Sequence, residues 1–231
     1  NSKSKLEFVP IEPGQIACVA VSPGEGISRI FASLGVTAIV EGGQTMNPSI
    51  EEIVNSFKDL PTDKIIILPN NKNIVFAANA AVQATDKNVA VIPSVSIPQG
   101  LSAILQLLPD GDFDLVVKHM KDALKEPQTG EITIATRDVE INGVDVKTGE
   151  VIALLDGKLV AASNSLPDAI IQLLEKADTD QRERITLFYG NGLTTSEVDP
   201  LVEKIQSRYP DHEIEVLEGG QPHYHFIIAI E

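Results

Sequence analysis

The chain has 231 residues, 43% of them hydrophobic, enough to bury a sizeable core as one large domain or as two lobes of about 100 residues each. Against 18 basic residues stand 33 acidic ones, and the net charge of -15 repels phosphate backbones and anionic bilayers, which excludes nucleic-acid binding and favours a basic partner. No apolar run reaches the length of a membrane span, and the opening Asn-Ser-Lys-Ser-Lys has no signal-peptide core, so no membrane insertion is expected and the chain reads as cytoplasmic.

The first apolar run, Ile16 to Val21, predicts a strand that carries the one cysteine, Cys18, as a buried thiol. Further strands are expected at 36–40, 64–68 and 89–92, with helices starting near Ile27, Pro48, Asn73 and Pro98. Asn47 is expected to cap the second helix, with Pro48 at its first position and Glu51 and Glu52 in its positive first turn. Short Val- and Ile-rich strands alternating with helices predict an α/β lobe, a parallel sheet with helices on both faces. A helix from Asp112 to Lys125, stopped by Pro127 and Gly130, marks the boundary between a first lobe at 1–126 and a second at 127–231.

The second lobe opens with a β-hairpin-rich insertion. Glu131 to Arg137 alternates like a strand, Asn142-Gly143 and Thr148-Gly149 mark turns, and Asp156-Gly157 joins 151–155 to 158–162 as a two-residue hairpin. A helix from Leu166 to Lys176 precedes a strand at 184–189. Thr194 and Glu197 then form a capping box for a helix running to Tyr209, followed by a strand at 213–217 and a terminal antiparallel strand from Tyr224 to Ile230.

Two segments repeat one device. Gly24-Glu25-Gly26 leads through a helix to Glu41-Gly42-Gly43-Gln44, and Gly190-Asn191-Gly192 leads through another to Glu218-Gly219-Gly220-Gln221. This reads as a duplicated βαβ unit, the first copy functional and the second its structural echo. The first copy is an imperfect dinucleotide fingerprint, because Arg29 stands at the third glycine position and would crowd the helix against the strand.

Ligands of open parallel sheets gather beyond the carboxyl ends of the strands, so four polar loops are expected to line one edge. The candidate binding residues there are Ser22, Gly24 and Gly26 in the first loop, and Gly42, Gly43, Gln44, Thr45 and Asn47 in the second. Asn70, Asn71, Lys72 and Asn73 stand in the third, and Ser94, Gln99 and Gly100 in the fourth. Their amides, hydroxyls and helix N-termini suit an anion or a partner surface, although the same residues also serve as plain turns and caps. His223 and His225 alternate on the terminal strand with no third ligand beside them, so no metal site is expected. Ser22 lacks the glycine and histidine of a hydrolase nucleophile, and no catalytic residue is assigned.

Over nearly its whole length the chain resembles the C-terminal domain of the bacterial fatty acid kinase ATP-binding subunit, of the dihydroxyacetone kinase-like family. Segments 40–49, 68–74, 97–103 and 149–157 carry the resemblance. It implies a parent enzyme in which a separate domain binds ATP and magnesium and phosphorylates the carboxylate of a fatty acid presented by an acyl-binding protein, feeding phospholipid synthesis. No cofactor is then expected in this chain itself, which is not expected to catalyse alone. The parent is a candidate homodimer. The fourth loop departs from the family pattern, with Ser94-Val95 where a Thr-Lys pair is expected, removing a cation. The lack of a starting Met and of any Trp suggests a piece of a longer polypeptide, and 224–231 reads as a natural terminus. Two readings stand: a non-catalytic module that docks the acyl-binding protein alongside the remaining domains of its polypeptide, or an α/β domain with its own small anionic ligand.

Overall fold

The computed structural model describes residues 6–141 and 143–231, so the opening Asn-Ser-Lys-Ser-Lys and the Asn142 half of the expected Asn142-Gly143 turn lie outside the described residues. The chain divides into two compact units between Glu126 and Pro127.

The first unit is a run of βα units: β1 (Ile16–Ser22), α1 (Glu25–Ser33), β2 (Ala38–Glu41), α2 (Ile50–Asn55), β3 (Lys64–Leu68), α3 (Val75–Gln83), β4 (Asn88–Val91) and α4 (Ile97–Ile104), closed by α5 (Phe113–Ala123). The four strands are parallel, in the order β2-β1-β3-β4. Side chains alternate across each strand. Ala17, Val19 and Val21 of β1 therefore join Ile65 and Ile67 of β3 in one cluster with Ile53, Phe57, Ala78 and Ala81 from the α2 and α3 side. The complementary residues Ile16, Cys18, Ala20, Ile66 and Leu68 are equally buried, and α1 and α4 pack on β1 from that side, with α5 on α4. Burial of both faces explains why these strands read as continuous apolar runs. It also pushes the Cys18 thiol far above its ordinary range, so the thiol stays protonated.

Local chemistry moves two helix starts. Gly24 is the N-cap of α1 in extended backbone, and Gly26 lies buried inside the helix, so the Gly24-x-Gly26 segment is a helix entry rather than a turn. Arg29 is exposed and pairs with Glu25 at 2.9 Å, so it does not crowd the sheet. The second helix begins at Ile50 and is capped by Ser49, not Asn47. Glu52 N donates to Ser49 Oγ (3.1 Å) while Ser49 N donates to Glu52 Oε2 (2.7 Å), a reciprocal pair that Asn47 has no partner to match. Accepting from the Ser49 backbone N–H and then from its hydroxyl holds the Glu52 carboxyl below the usual carboxylate range.

The second unit contains β5 (Gln128–Ile134), the hairpin β6 (Val139–Ile141) and β7 (Val144–Val146), β8 (Val151–Leu155), β9 (Lys158–Ser163), α6 (Leu166–Lys176), a 3-10 turn (Thr179–Gln181), β10 (Arg184–Tyr189), α7 (Thr195–Arg208), β11 (Glu213–Glu218) and β12 (Phe226–Ile230). Its main sheet runs β11-β10-β12-β5-β8-β9. Only β10 and β11 are parallel, joined by α7 as β1 and β2 are by α1. The capping box is as expected, with Thr194 N donating to Glu197 Oε2 at 2.8 Å. β12 is antiparallel to both neighbours, but it lies in the middle of the sheet, which is why all of Phe226–Ile230 is buried. Gly130 is part of β5 and not a stop: a Cβ there would lie 2.9 Å from Leu173 Cδ2 of α6. His223 has a φ of 67° and precedes β12, so His223 and His225 do not share a strand face.

The Asp156-Gly157 hairpin forms with φ of 48° and 74°, the two left-handed residues of a type I′ turn. Nothing lies within 4 Å of a Cβ at Gly157, so Gly157→Ala tests backbone strain alone. It is expected to lower the unfolding free energy of this unit by about 1–2 kcal/mol in urea melts followed by circular dichroism. Gly192→Ala, equally uncrowded and outside the left-handed region, should change it by less than about 0.5 kcal/mol.

Candidate functional site

In a 2-1-3-4 parallel sheet the crossovers diverge between β1 and β3, so a crevice opens beyond Ser22 and Leu68, where such sheets receive ligands. Asn70 fills it. Its backbone takes the left-handed conformation at φ 56°, which an Asn tolerates, and this turns its side chain inward to 6% exposure. Asn70 Nδ2 donates to Val21 O of β1 at 2.9 Å, and Asn70 N donates to Ser94 Oγ at 3.0 Å. The Ser94 hydroxyl donates back to Asn70 Oδ1 at 2.8 Å. Gly100 in α4 has to be glycine, since a Cβ there would overlap Asn70 Oδ1.

The other inward groups are engaged in the same way. Ser22 Oγ donates to Gly24 O (3.2 Å), and Ser28 Oγ donates to Ser22 Oγ (2.9 Å). Gly42 N donates to Ser22 O at 3.1 Å, and a Cβ on Gly42 would press on Pro48 and Val21 at 2.8 Å. Gly43 lies as close to Pro23 and pairs with Met46 across a tight turn, Gly43 N donating to Met46 O at 2.8 Å. Gln99 Oε1 accepts from Val95 N at 2.8 Å and so fixes the fourth loop.

What remains outside is a rim. Gln44, Thr45, Asn47, Lys72 and Asn73 are exposed, and Asn71 Nδ2 donates to Gln44 Oε1 at 3.1 Å, tying the second loop to the third. The candidate residues thus divide: Ser22, Gly26, Gly42, Asn70, Ser94 and Gly100 are buried framework, whereas Gln44, Thr45, Asn47, Asn71, Lys72 and Asn73 form the outer surface. Two neighbours belong with that surface. Phe76, at the start of α3, is 82% exposed and Met46 is 53% exposed. The spacing of Ile74, Ala78 and Ala81 on the buried side of α3 puts Phe76 on the outer side, a signal present in the sequence.

Gln221, in the second copy of the device, is 1% exposed, with Nε2 donating to Phe188 O at 2.8 Å and Oε1 unpartnered against Gly219. His212 Nε2 lies 2.9 Å from Thr179 O. Among the described residues no three His, Cys, Asp or Glu side chains gather as metal ligands. No helix among them is long and apolar enough to cross a membrane.

A family model for the FakA-like C-terminal region of fatty acid kinase matches residues 17–231. A protein of Staphylococcus aureus strain MRSA252 is 38% identical over 231 residues, 100% of this chain and 41% of its own length. YloV of Bacillus subtilis strain 168 is 37% identical over 213 residues, 92% of this chain and 38% of its own. The chain spans about two fifths of the length of these curated relatives. Among solved structures, a DegV family protein of Corynebacterium glutamicum is similar at a TM-score of 0.67 and 15% identity, over 94% of this chain and 96% of that one. The dihydroxyacetone kinase of C. freundii, in complex with AMP-PNP and Mg2+, is similar at 0.62 and 12%, over 94% and 48%. The Streptococcus pneumoniae fatty acid kinase B3 protein, loaded with linoleic acid, is similar at 0.52 and 14%, over 80% and 76%. At these identities the likeness is one of fold.

The Asn70–Gly100 contact is testable as a pair. Gly100→Ala should destabilise the first unit by about 1–3 kcal/mol, because the new methyl displaces the Asn70 amide. In an Asn70→Ala background the same change should cost much less, a coupling of at least about 1 kcal/mol in a double-mutant cycle of urea unfolding. Additive effects would show that the amide does not hold the crevice closed.

Proposed function

The chain belongs to the FakA-like C-terminal family of fatty acid kinases, and we propose that it is a non-catalytic module that docks a protein carrying a fatty acid on the outer rim of its strand-end loops. The carboxylate of that acid is phosphorylated, in this reading, by a separate domain that holds ATP and magnesium, and the acyl phosphate feeds phospholipid synthesis. The module works in the cytoplasm, within a parent protein that pairs as a homodimer.

One observation carries the reading. The crevice where a parallel sheet would take a small ligand is stoppered by the chain's own Asn70, whose polar groups are engaged by Val21 and Ser94, while the neighbouring rim of Gln44, Asn71, Lys72, Asn73 and Phe76 faces outward. A filled crevice with an open polar rim and one bare aromatic suits a macromolecular face better than a small-molecule pocket. The fold likeness to a fatty acid kinase B3 protein supports a second reading, in which this module itself takes up an acyl chain.

Titration calorimetry of the chain with linoleate-loaded fatty acid kinase B3 protein tests the docking. Association is expected, weakened about tenfold or more by Phe76→Asp, as for an anchor near the centre of an interface. A folded chain that fails to associate at high micromolar concentration would sink the proposal. A rise in melting temperature on adding free linoleate, without the carrier, would favour the second reading.

A further inference from the structure

Sulfur in this chain is confined to two methionines and one cysteine, and the fold treats them differently. Cys18 in β1 and Met120 in α5 are both at 0% exposure, whereas Met46 is 53% exposed. Burial bars Cys18 twice. The thiolate is the form that reacts with peroxides, and the Cys18 thiol is both sealed within the sheet and held protonated. A thioether needs no ionisation to react, so exposure decides between the two methionines. Met46 also stands in a fixed part of the rim. Gly43 N donates to Met46 O at 2.8 Å, and a Cβ on Gly42 would lie 3.1 Å from that carbonyl oxygen. A Cβ on Gly43 would come within 2.7 Å of Pro23 Cβ, which holds the turn against the first loop. Gln44, inside the turn, is tied to the third loop by accepting from Asn71 Nδ2 at 3.1 Å.

We propose that Met46 is a site of reversible oxidation by peroxides, and that its sulfoxide weakens the hold of the rim on its partner. The effect on binding rests on the docking reading above; the selectivity of the oxidation does not. With hydrogen peroxide, a lone pair on Met46 Sδ attacks one peroxide oxygen, and the S–O bond forms as the O–O bond breaks. The transferred oxygen gives its proton to the departing hydroxide, which leaves as water. Sulfur is oxidised by two electrons and the peroxide is reduced by two. A dithiol reductant reverses the step, the oxygen leaving as water while two thiols close to a disulfide. The product changes what the rim offers. Met46 supplies apolar area there, and apolar area strengthens association by leaving water. Its sulfoxide is a dipolar acceptor that loses hydrogen bonds to water when it is covered, so the same contact becomes costly.

Peptide mass spectrometry of the chain in dilute hydrogen peroxide tests the site. Met46 is expected to gain one oxygen at least about tenfold faster than Met120, which waits on opening of the core, with Cys18 unmodified over the same interval. Comparable rates at the two methionines, or earlier loss of the Cys18 thiol, overturn the proposal. Titration calorimetry against linoleate-loaded fatty acid kinase B3 protein, itself kept from peroxide, tests the consequence. Oxidation of the chain should weaken association about fivefold or more, and methionine sulfoxide reductases with a dithiol should restore it. Met120→Leu should keep this sensitivity and Met46→Leu should lose it, read as the ratio of affinities before and after peroxide. An affinity unchanged by oxidation of Met46 overturns the switch. If the untreated chain does not associate at all, docking at the rim fails and the switch with it, while the relative oxidation rates still judge the site. Should either variant unfold, the unsubstituted chain before oxidation, after it and after repair carries the test.

Discussion

The side-chain amide of Asn70 is the contact on which the loops of the first unit depend. It joins the end of β1, the turn after β3 and the loop after β4, which no backbone ladder connects beyond the sheet. Each of its groups has a task that a near relative would fail. An Asp would lose the donor to Val21 O and a Gln would need room that Gly100 does not leave, and a buried polar group without a partner costs about 1–3 kcal/mol. Ser94 is similarly constrained, since its hydroxyl both accepts from Asn70 N and donates to Asn70 Oδ1. The closeness of Gly100 to Asn70 follows from this lock and not from any flexibility of the loop.

The second unit closes its parallel strand ends with an amide as well, but takes it from elsewhere. In the first unit Gln44 of Glu41-Gly42-Gly43-Gln44 is exposed and accepts from Asn71, whereas Gln221 of the matching Glu218-Gly219-Gly220-Gln221 is buried and donates to Phe188 O. Topology accounts for the difference. After β2 the chain enters a helix and leaves the edge, so Gln44 is free to face outward. After β11 it must return as β12, antiparallel beside β10, and the return folds residues 221–225 over the strand ends. Asn191 N donating to Gln221 O at 3.1 Å, and Gly190 N to His225 O at 2.9 Å, complete that closure. One sequence motif thus serves as rim in one unit and as stopper in the other.

The βα alternation was legible because burial on both faces leaves continuous Val and Ile runs between turn-forming loops, and the hairpin at Asp156-Gly157 because two left-handed residues need that chemistry. That four loops share an edge followed from parallel strands alone. Which polar side chain turns inward did not. Asn70 and Asn71 are neighbours of one type, yet one is framework and the other rim, and the partners that decide it lie 49 and 24 residues away in sequence. The helix cap at Ser49 was a different failure: the Ser49-x-x-Glu52 box was readable, but Asn47-Pro48 offered a plausible start two residues earlier. The central place of β12 depends on strand pairing over nearly a hundred residues, for which an apolar pentapeptide carries no local mark.

The division between inward and outward polar groups limits what the candidate edge can do. A buried group that already has its hydrogen bonds gains nothing from a ligand unless an internal partner is given up, so Ser22, Asn70 and Ser94 are poor sources of affinity. The rim amides and Lys72 are open to water, and each contributes little alone when water competes for it. Binding strength at such a rim comes from area covered and from side chains that lose water on contact, which here means Phe76 and Met46 before any charged group. A partner held at this edge would therefore be recognised by shape and extent, with the amides setting register rather than energy.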